Sequence, residues 1–208
     1  MKIAIYVGEL DIKGGTHKQV LRLAQHLIAL GHELCVLTPN FVAAKTYVEF
    51  ADLPVIALSA LSDETVNWRA RLRAKLAPLR LAWTMRQVDV LNIHDNRGVL
   101  FFIVATALRK ARHTVWQIND LHPAFKIGAS ADASRRRLID RIHTAMNRWM
   151  ARRVDTITVN VKKNVERVHV CLDRPALLFH CGVDLPDTAP APKRAHGGTQ
   201  RQIGRAHV

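Results

Sequence analysis

The chain has 208 residues and 49% of them are hydrophobic, so it can bury the core of one domain but not of two similar ones. Lys and Arg total 31 against 17 Asp and Glu, a formal net charge of +14. Such a surface attracts polyanions of any kind, whether nucleic acid, anionic lipid or a phosphorylated substrate. No segment approaches the roughly 20 apolar residues that span a bilayer. The first apolar run meets Gly8 and Glu9 too early for a signal peptide.

Apolar runs and helical repeats alternate along the chain. The second strand is expected to break at Pro39 and Asn40, and Gly31 is a candidate to end the first helix. The predicted order is strand 2–8, helix 16–30, strand 32–38, strand 55–58, helix 63–86, strand 88–93, helix 97–111, strand 114–118, helix 131–153, strand 155–159, helix 161–169 and strand 176–179.

Continuous apolar strands separated by helices of this length predict a parallel sheet that is covered on both faces. Right-handed crossovers then give a doubly wound, mainly parallel α/β domain of Rossmann-like type over residues 1–185. Ligands of such sheets bind beyond the carboxyl ends of the strands. The loops after residues 8, 38, 93, 119, 159 and 180 are therefore expected to form the functional edge.

The character of the chain changes after Leu185. Three prolines separated by small residues predict a linker, and residues 193–208 are polar, basic and aperiodic. The ending IGRAHV resembles the translation of a common sequencing adapter. We therefore interpret residues 186–208 as a linker and an artefactual disordered tail, with a native disordered tail as the alternative.

Two neighbouring glycines open the first predicted helix. Gly14 and Gly15 allow a ligand to approach the backbone closely and leave helix N–H groups free for an anion. Their spacing is neither the G-x-G-x-x-G pattern nor a P-loop, which disfavours nicotinamide binding and Walker-type hydrolysis. The alternative is an ordinary helix start with Thr16 as its cap.

Several segments together resemble the N-terminal half of family 4 glycosyltransferases, in the same order and at similar spacing. They are GGTHKQVLRLA at 14–24, LGHELCVLTP at 30–39, DVLNIHD at 89–95, DTITVN at 155–160 and CGVD at 181–184.

The resemblance implies a GT-B architecture, in which two Rossmann-like domains face each other across a cleft. It implies transfer of a sugar from a nucleotide-sugar, with retention of anomeric configuration and without a metal or other cofactor. The N-terminal domain would shape the side that receives a glycan or a lipid-linked acceptor. The second domain, which would hold most of the nucleotide, is missing from this chain, and the fragment alone is expected to be inactive.

The resemblance also assigns roles to individual residues. Those expected to bind the donor phosphates lie in the glycine loop, and those expected to contact the acceptor lie nearby or in the exit loop of the fourth strand. Asp95 could instead cap the following helix. The donor-phosphate residues are Gly14, Gly15 and Thr16, and the acceptor residues are His94, Asp95 and Lys18.

The predicted catalytic residues Asn119, Asp120 and His122 follow the next strand. Asn119 stands where the family usually has a histidine that contacts the transferred sugar. An amide can donate and accept hydrogen bonds but does not titrate near neutral pH. His122 could supply the imidazole from another position, while Asp120 with Pro123 could simply form a turn.

Neither cysteines nor histidines show the spacing of a metal site. Cys35, Cys171 and Cys181 fit buried thiols in a reducing cytoplasm. The histidines are scattered, so no metal is predicted.

The long basic helix carries large apolar residues along one stripe and small ones on the reverse face. Its small face could pack on the domain while the large face meets an anionic membrane. Alternatively the stripe faces the core, and Pro78 weakens the case for one straight face. The stripe is Trp68, Leu72, Leu76, Leu79 and Trp83, the reverse face is Ala70, Ala74, Ala77 and Leu81, and the predicted membrane contacts are Trp68, Arg69, Arg73, Arg80 and Trp83.

A second hypothesis treats the chain as a basic binding module for anionic membrane or nucleic acid, without catalysis. Nucleic acid is disfavoured, because the sequence has no recognised binding motif and too few aromatic residues for a stacking platform. The expected location is the cytoplasm, with attachment to the inner face of the cytoplasmic membrane if the basic helix binds lipid.

Overall fold

A computed structural model describes most of the chain. Side chains are not described for residues 59, 68–75 and 134–140, whose backbone is. The described ranges are 1–10, 13–42, 45–59, 68–94, 98–119 and 134–179.

Seven strands and five helices alternate over these ranges, with a short 3₁₀ turn at Val48–Phe50. The elements are β1 (Lys2–Val7), α1 (Gly15–Ala29), β2 (Glu33–Asn40), β3 (Val55–Ser59), α2 (Trp68–Thr84), β4 (Val88–His94), α3 (Val99–Ala107), β5 (Ala111–Ile118), α4 (Ser134–Arg153), β6 (Thr156–Val159), α5 (Lys162–Leu172) and β7 (Leu177–Leu178).

All seven strands form one parallel sheet in the order β3-β2-β1-β4-β5-β6-β7. This confirms the predicted doubly wound, Rossmann-like fold. The chain runs from β1 outward to β3 and then returns to place β4 on the other side of β1. The strand order therefore reverses between β1 and β4, where Val7 lies in register with His94. Ligands of open α/β sheets bind beyond the carboxyl ends at such a point.

Two hydrophobic clusters cover the two faces of the sheet. Helix α1 packs Val20, Leu21 and Ala24 on one face, and the helices α2 to α5 pack on the other. In the second cluster Tyr6 stacks on Phe101, with ring centroids 4.2 Å apart. Each large side chain buried in this way contributes about 1.5–3 kcal/mol, so the strands and helices hold each other in register.

Three of the described helices, α1, α3 and α5, are followed by a residue in the left-handed conformation, and only after α1 is this residue a glycine. Gly31 has φ +82°, and the N–H groups of Gly31 and His32 donate to the carbonyls of Ile28 and Leu27. Helix α3 ends in the same way at Arg109, which has φ 49°. The predicted helix 97–111 is therefore too long, because Arg109 is not a residue type that marks the end of a helix in the sequence.

Several predicted boundaries move by a few residues. Strand β2 continues through Pro39 and Asn40, which were expected to break it. Its pairing with β1 ends at Leu37, so the missing N–H of Pro39 costs no bond on that side. Strand β5 begins at Ala111 rather than at Thr114, and α5 continues to Leu172. The predicted helix residues 63–67 and 131–133, and the linker and tail at 186–208, lie outside the described residues.

Over the part of α2 whose side chains are described, two residues of the predicted stripe are exposed and a third, Leu79, is half-buried. Ala77 and Leu81 are buried, whereas Leu76 is 43% and Trp83 is 68% exposed. Over this part the alternative in which the Trp/Leu stripe faces the core is wrong. The helix also continues through Pro78. The side chains of Trp68, Arg69 and Arg73 lie outside the described residues.

Candidate functional site

The glycine pair lies at the start of α1, in the connection that leaves the carboxyl end of β1. Gly14 is the N-cap residue, in an extended conformation, and the helix begins at Gly15. No side chain caps this end and its first turn has no acidic residue, so the alternative in which Thr16 is the cap is wrong. Free N–H groups and the helix dipole make such an end attractive to an anion.

Among the described residues, space is open beside Gly15 but not beside Gly14. A Cβ atom added at Gly15 would meet nothing within 4 Å, and one at Gly14 would lie 3.1 Å from Nδ1 of His17. Gly14 has φ −137°, which other residues also adopt. Gly15 is helical and does not have a positive φ. Neither packing against the described residues nor backbone conformation therefore requires glycine at position 15.

Lys18, predicted to contact the acceptor, interacts with the neighbouring 3₁₀ turn. Its Nζ lies 3.7 Å from a carboxylate oxygen of Glu49 and 5.7 Å from the ring centre of Tyr47. The Tyr47 hydroxyl in turn donates to the carbonyl of Gly14 at 3.3 Å. These contacts connect Lys18 to the glycine loop, and its role toward an acceptor remains a prediction.

His94 ends β4 at the point where the strand order reverses, and it is only 1% exposed. Neither ring nitrogen has a hydrogen-bond partner among the described residues. Burial lowers the pKa of His94 to about 3, so the imidazole is neutral at physiological pH. An acceptor could touch it only after this edge opens, and its acceptor role stays a prediction. Asp95 lies outside the described residues.

Asn119 follows β5, two residues after Gln117, which lies in register with His94. Two amide side chains hold Asn119. Nε2 of Gln117 donates to its Oδ1 at 3.2 Å, and Nδ2 of Asn164 donates to its backbone carbonyl at 3.2 Å. Its own Nδ2 is buried and has no partner within the described ranges. Asp120 and His122, the other predicted catalytic residues, lie outside those ranges.

Sequence reasoning missed Gln117 and Asn164, both of which are only 4% exposed. A signal for each was present. Gln117 precedes Asn119 by two residues, which places both on the same face of β5. Asn164 is followed at intervals of four by Val168 and Leu172, the other buried residues of α5, so helical periodicity already placed this amide on the buried face.

Gly98 lets α3 begin close beneath the same strand ends. A Cβ added there would lie 2.4 Å from Cγ2 of Ile93 and 3.3 Å from two ring carbons of Tyr6. Gly98 is the N-cap residue of α3. Asp95, the cap in the alternative interpretation, lies outside the described residues. This close approach fixes the helix against β1 and β4 near the candidate site.

The two cavities found among the described residues lie at the opposite, amino edge of the sheet. The smaller one, about 380 Å³, is bounded by Cys35, Leu81 and Met85, among others, and the larger, about 770 Å³, is bounded by polar residues at the strand starts. Cys35 and Cys171 are half-buried free thiols rather than fully buried ones. Burial, and to a smaller extent Glu33, raises the pKa of Cys35. Neither cavity belongs to the glycine loop or to the His94–Asn119 edge.

Two further features are absent from the described part of the chain. No group of three His, Cys, Asp or Glu side chains there could hold a metal ion. None of its helices has both the length and the apolar character needed to cross a bilayer.

Comparisons with known proteins agree with the fold. The sequence profile of the glycosyl transferase 4-like domain matches residues 14–177. No curated protein sequence matches the chain.

Solved structures of glycosyltransferases share the fold at low identity. Anabaena Alr3699/HepE in complex with UDP and glucose superposes with a TM-score of 0.61 at 14% identity, over 88% of this chain and 45% of that one. Sucrose-phosphate synthase from Thermosynechococcus elongatus gives 0.62 at 13%, over 88% and 48%. An alpha-glucosyltransferase in complex with UDP and a 13-mer DNA gives 0.54 at 14%, over 88% and 43%.

The chain thus spans less than half the length of each of these three proteins. Its seven-stranded parallel sheet and the profile match over most of its length agree. This chain belongs to the glycosyl transferase 4-like family and has the Rossmann-like fold of one domain of the GT-B glycosyltransferases.

Proposed function

We propose that the chain forms the acceptor-side half of a retaining, metal-independent glycosyltransferase, which moves a sugar from a nucleotide-sugar to a glycan or a lipid-linked acceptor. The observation that carries this proposal is the unobstructed start of α1. No described residue occupies the space where a side chain of residue 15 would stand, and the first turn offers N–H groups without a competing acidic residue. A diphosphate is an anion that such a helix end binds well.

UDP is a suitable probe, because UDP is bound in two of the similar structures. In amide NMR spectra of the isotope-labelled chain, we expect UDP to shift the N–H signals of Gly14, Gly15 and Thr16. Gly15→Val fills the open space and should weaken UDP binding by about tenfold, which corresponds to about 1.4 kcal/mol.

Ala29→Val is the matched control, because it adds bulk at the opposite, exposed end of α1. It should leave UDP binding unchanged, since the carbonyl end of a helix does not attract anions. Shifts confined to the amino-edge cavities, with the glycine signals unmoved, would contradict the proposal.

We further propose that the 208-residue chain alone transfers no sugar, because the family places most donor contacts in a second domain. The assay is release of UDP from UDP-glucose in the presence of glycan acceptors. Sustained turnover by the purified chain would refute this part. Joining the chain to a second GT-B domain should be necessary for activity.

Attachment to an anionic membrane through α2 is the second part of the proposal. Leu76 and Trp83 are exposed apolar side chains, and Arg80 is exposed beside them on the same helix. Trp at a lipid interface with Arg reaching the headgroups is a common arrangement in peripheral helices. It would bring the domain to a lipid-linked acceptor.

Sedimentation with vesicles tests this attachment. Vesicles that contain phosphatidylglycerol should bind the chain, and pure phosphatidylcholine vesicles should bind it far less. Arg80→Ala should weaken binding about fivefold, since one basic residue contributes about 1 kcal/mol. Leu30→Ala, which alters an apolar residue 72% exposed at the end of α1, is the control. Equal binding to both kinds of vesicle excludes the attachment, and preferential binding to nucleic acid would favour the binding-module hypothesis.

A further inference from the structure

The two cavities at the amino edge of the sheet lie side by side. Both are bounded by Lys2, Glu33, Arg86, Gln87 and Val88. A mostly apolar cavity of about 380 Å³ therefore borders a polar one of about 770 Å³. Sites for small molecules commonly have volumes of about 300–1,000 Å³, with apolar walls and a few polar groups.

The smaller cavity lies between the starts of β1, β2 and β4 and the last turns of α2. The apolar side chains that line it are Ile3, Leu34, Leu37, Ile56, Leu81 and Met85. Polar groups of α2 at this place already have partners. Oγ1 of Thr84 donates to the carbonyl of Arg80 at 3.0 Å, and the carbonyl of Met85 accepts from Nζ of Lys110 at 2.7 Å.

The interior of this cavity asks for no polar ligand. None of the buried side-chain atoms that lack a partner within the described ranges belongs to a residue that lines it. A polar group placed there would lose its hydrogen bonds to water without replacement, whereas an apolar chain would gain from leaving water. The walls therefore favour an alkyl chain.

One positive charge remains available where the two cavities meet. Around the polar cavity, Nζ of Lys2 lies 3.9 Å from a carboxylate oxygen of Glu33, and Nη1 of Arg112 lies 3.5 Å from one of Asp89. The third cation, Arg86, is exposed and forms no ion pair with any described residue. Because Arg86 also borders the apolar cavity, it can meet an anion that is attached to an alkyl chain.

We propose that the amino edge binds a long-chain fatty acid, with its alkyl chain in the apolar cavity and its carboxylate against Arg86. One cavity and one unpaired cation match one chain with one negative charge. The site lies at the edge opposite to the glycine loop, so this inference does not depend on the proposed function. An acyl chain of an anionic phospholipid has the same chemistry, and the experiments below distinguish the two sources.

Cys35 lines the apolar cavity and can report whether it is filled. We expect dodecanoate, at about ten times its Kd, to slow alkylation of Cys35 by N-ethylmaleimide about tenfold, since the empty fraction falls by that factor. Cys171 on α5, also a half-buried free thiol, is the internal control and should react at an unchanged rate. Mass spectrometry of the cysteine peptides measures both rates at one pH.

The chain length and the charge of the ligand test the two halves of the site. Decanoate should bind about 15-fold more weakly than dodecanoate, because each buried methylene contributes about fourfold in affinity. Dodecyltrimethylammonium has the same chain and the opposite charge, and it should protect Cys35 far less. Equal protection by this cation would overturn the role of Arg86, and no protection by any of these ligands would overturn the site.

Two variants with matched controls complete the test. Ile56→Trp should fill the mouth of the apolar cavity and abolish protection, since Ile56 is 49% exposed on the edge strand β3. Ile28→Trp, at a residue 38% exposed on α1 and away from both cavities, should leave it intact. If the Ile56 variant does not fold, the surface variant Arg86→Gln decides.

Arg86→Gln should weaken binding of dodecanoate about fivefold and leave binding of neutral dodecanol unchanged. Arg152→Gln, at an exposed arginine on α4, should change neither. An Arg86→Gln chain that binds dodecanoate as tightly as the unaltered chain would overturn the assignment of the carboxylate to Arg86.

The source of the chain and the relation to the nucleotide are tested last. Protection of Cys35 by phosphatidylglycerol vesicles but not by dodecanoate would overturn the assignment to a fatty acid. UDP should leave the alkylation rate of Cys35 unchanged, and protection by UDP would place the nucleotide at the amino edge and overturn the present inference. Failure of UDP to move the signals of Gly14 and Gly15 would refute only the proposed function.

Discussion

The amino and carboxyl edges of the sheet differ in whether their polar side chains have hydrogen-bond partners. At the amino edge, Asp89 accepts from the N–H of Lys2 at 2.8 Å and lies 3.5 Å from Arg112. Asp155 accepts from the N–H and the hydroxyl of Thr114, at 2.7 and 2.8 Å. These carboxylates connect neighbouring strands where they begin, so the amino edge uses its polar groups for stability.

The carboxyl edge keeps polar atoms without partners among the described residues. They belong to side chains at the ends of β2, β4 and β5, namely Oδ1 of Asn40, both ring nitrogens of His94 and Nδ2 of Asn119. A buried polar atom without a partner destabilises a fold. We therefore expect the paired polar groups of the amino edge to stabilise the fold and those of the carboxyl edge to serve binding, and the following variants test this difference.

The largest expected change in the free energy of unfolding comes from protonation of His94 at low pH. Its pKa of about 3 lies far below the value of about 6.5 expected in the unfolded chain, so below pH 6.5 the unfolded state binds one more proton. The free energy of unfolding should therefore fall by about 1.4 kcal/mol per pH unit, or about 3 kcal/mol from pH 6.5 to 4. His94→Leu should remove this slope without loss of stability at pH 7. Urea titrations across the range measure both quantities.

His26→Gln is the control, because His26 is exposed on α1. It should keep the slope of the unaltered chain. A His94→Leu chain that is much less stable at pH 7 would show that His94 has a structural role, and the distinction between the two edges would weaken.

Gly98→Ala should have the next largest effect. The added Cβ would lie 2.4 Å from Ile93 and would push α3 away from β1 and β4. Overpacking of this kind costs about 1–3 kcal/mol, which denaturant unfolding can measure. Gly15→Ala is the matched control, since its Cβ meets nothing, and it should change stability by less than about 1 kcal/mol. Equal losses in both variants would contradict this account of the carboxyl edge.

Asp155→Ala tests the amino edge and should have the smallest effect, about 1 kcal/mol, because the side chain is half exposed. Burial by itself raises the pKa of Asp155, but the hydrogen bonds from Thr114 and the nearby His113 lower it overall. Its contribution is therefore present above about pH 4 and is lost as the pH falls further.

Asp52→Ala, at another exposed carboxylate, serves as the comparison for that variant. It should leave the unfolding free energy nearly unchanged at pH 7. If Asp155→Ala proved equally harmless, the polar pairs of the amino edge would not contribute to stability as proposed.

Sequence patterns predicted the end of a helix where a single residue type determines the backbone conformation. The end of α1 was predicted because glycine adopts a positive φ without strain, and Gly31 does so. The end of α3 was missed, because Arg109 takes the same conformation without a residue type that signals it. Backbone hydrogen bonds from Arg109 to Thr106 and from Lys110 to Ala105 close that turn.

The orientation of α2 shows another limit of sequence reasoning. Both faces of this helix carry apolar residues, so periodicity allowed either to be buried. Contact with α3 and the sheet selected the face of Ala77 and Leu81 and left Trp83 outside. Which face of α2 is buried depends on the neighbouring helix and strands, and the residue pattern of one helix does not reveal them.

Alternating apolar strands and helices were enough to predict a parallel, doubly wound sheet, whereas anion binding at the glycine pair stays a prediction. Both expectations follow from short-range rules of hydrophobic burial and backbone conformation. The partners of Asn119 emerged only in the folded chain, because Gln117, Asn164 and His94 come from three elements that the sheet brings to one edge. Which polar atoms remain without partners there is a property of that assembly, since hydrogen bonding depends on distances that sequence order does not set.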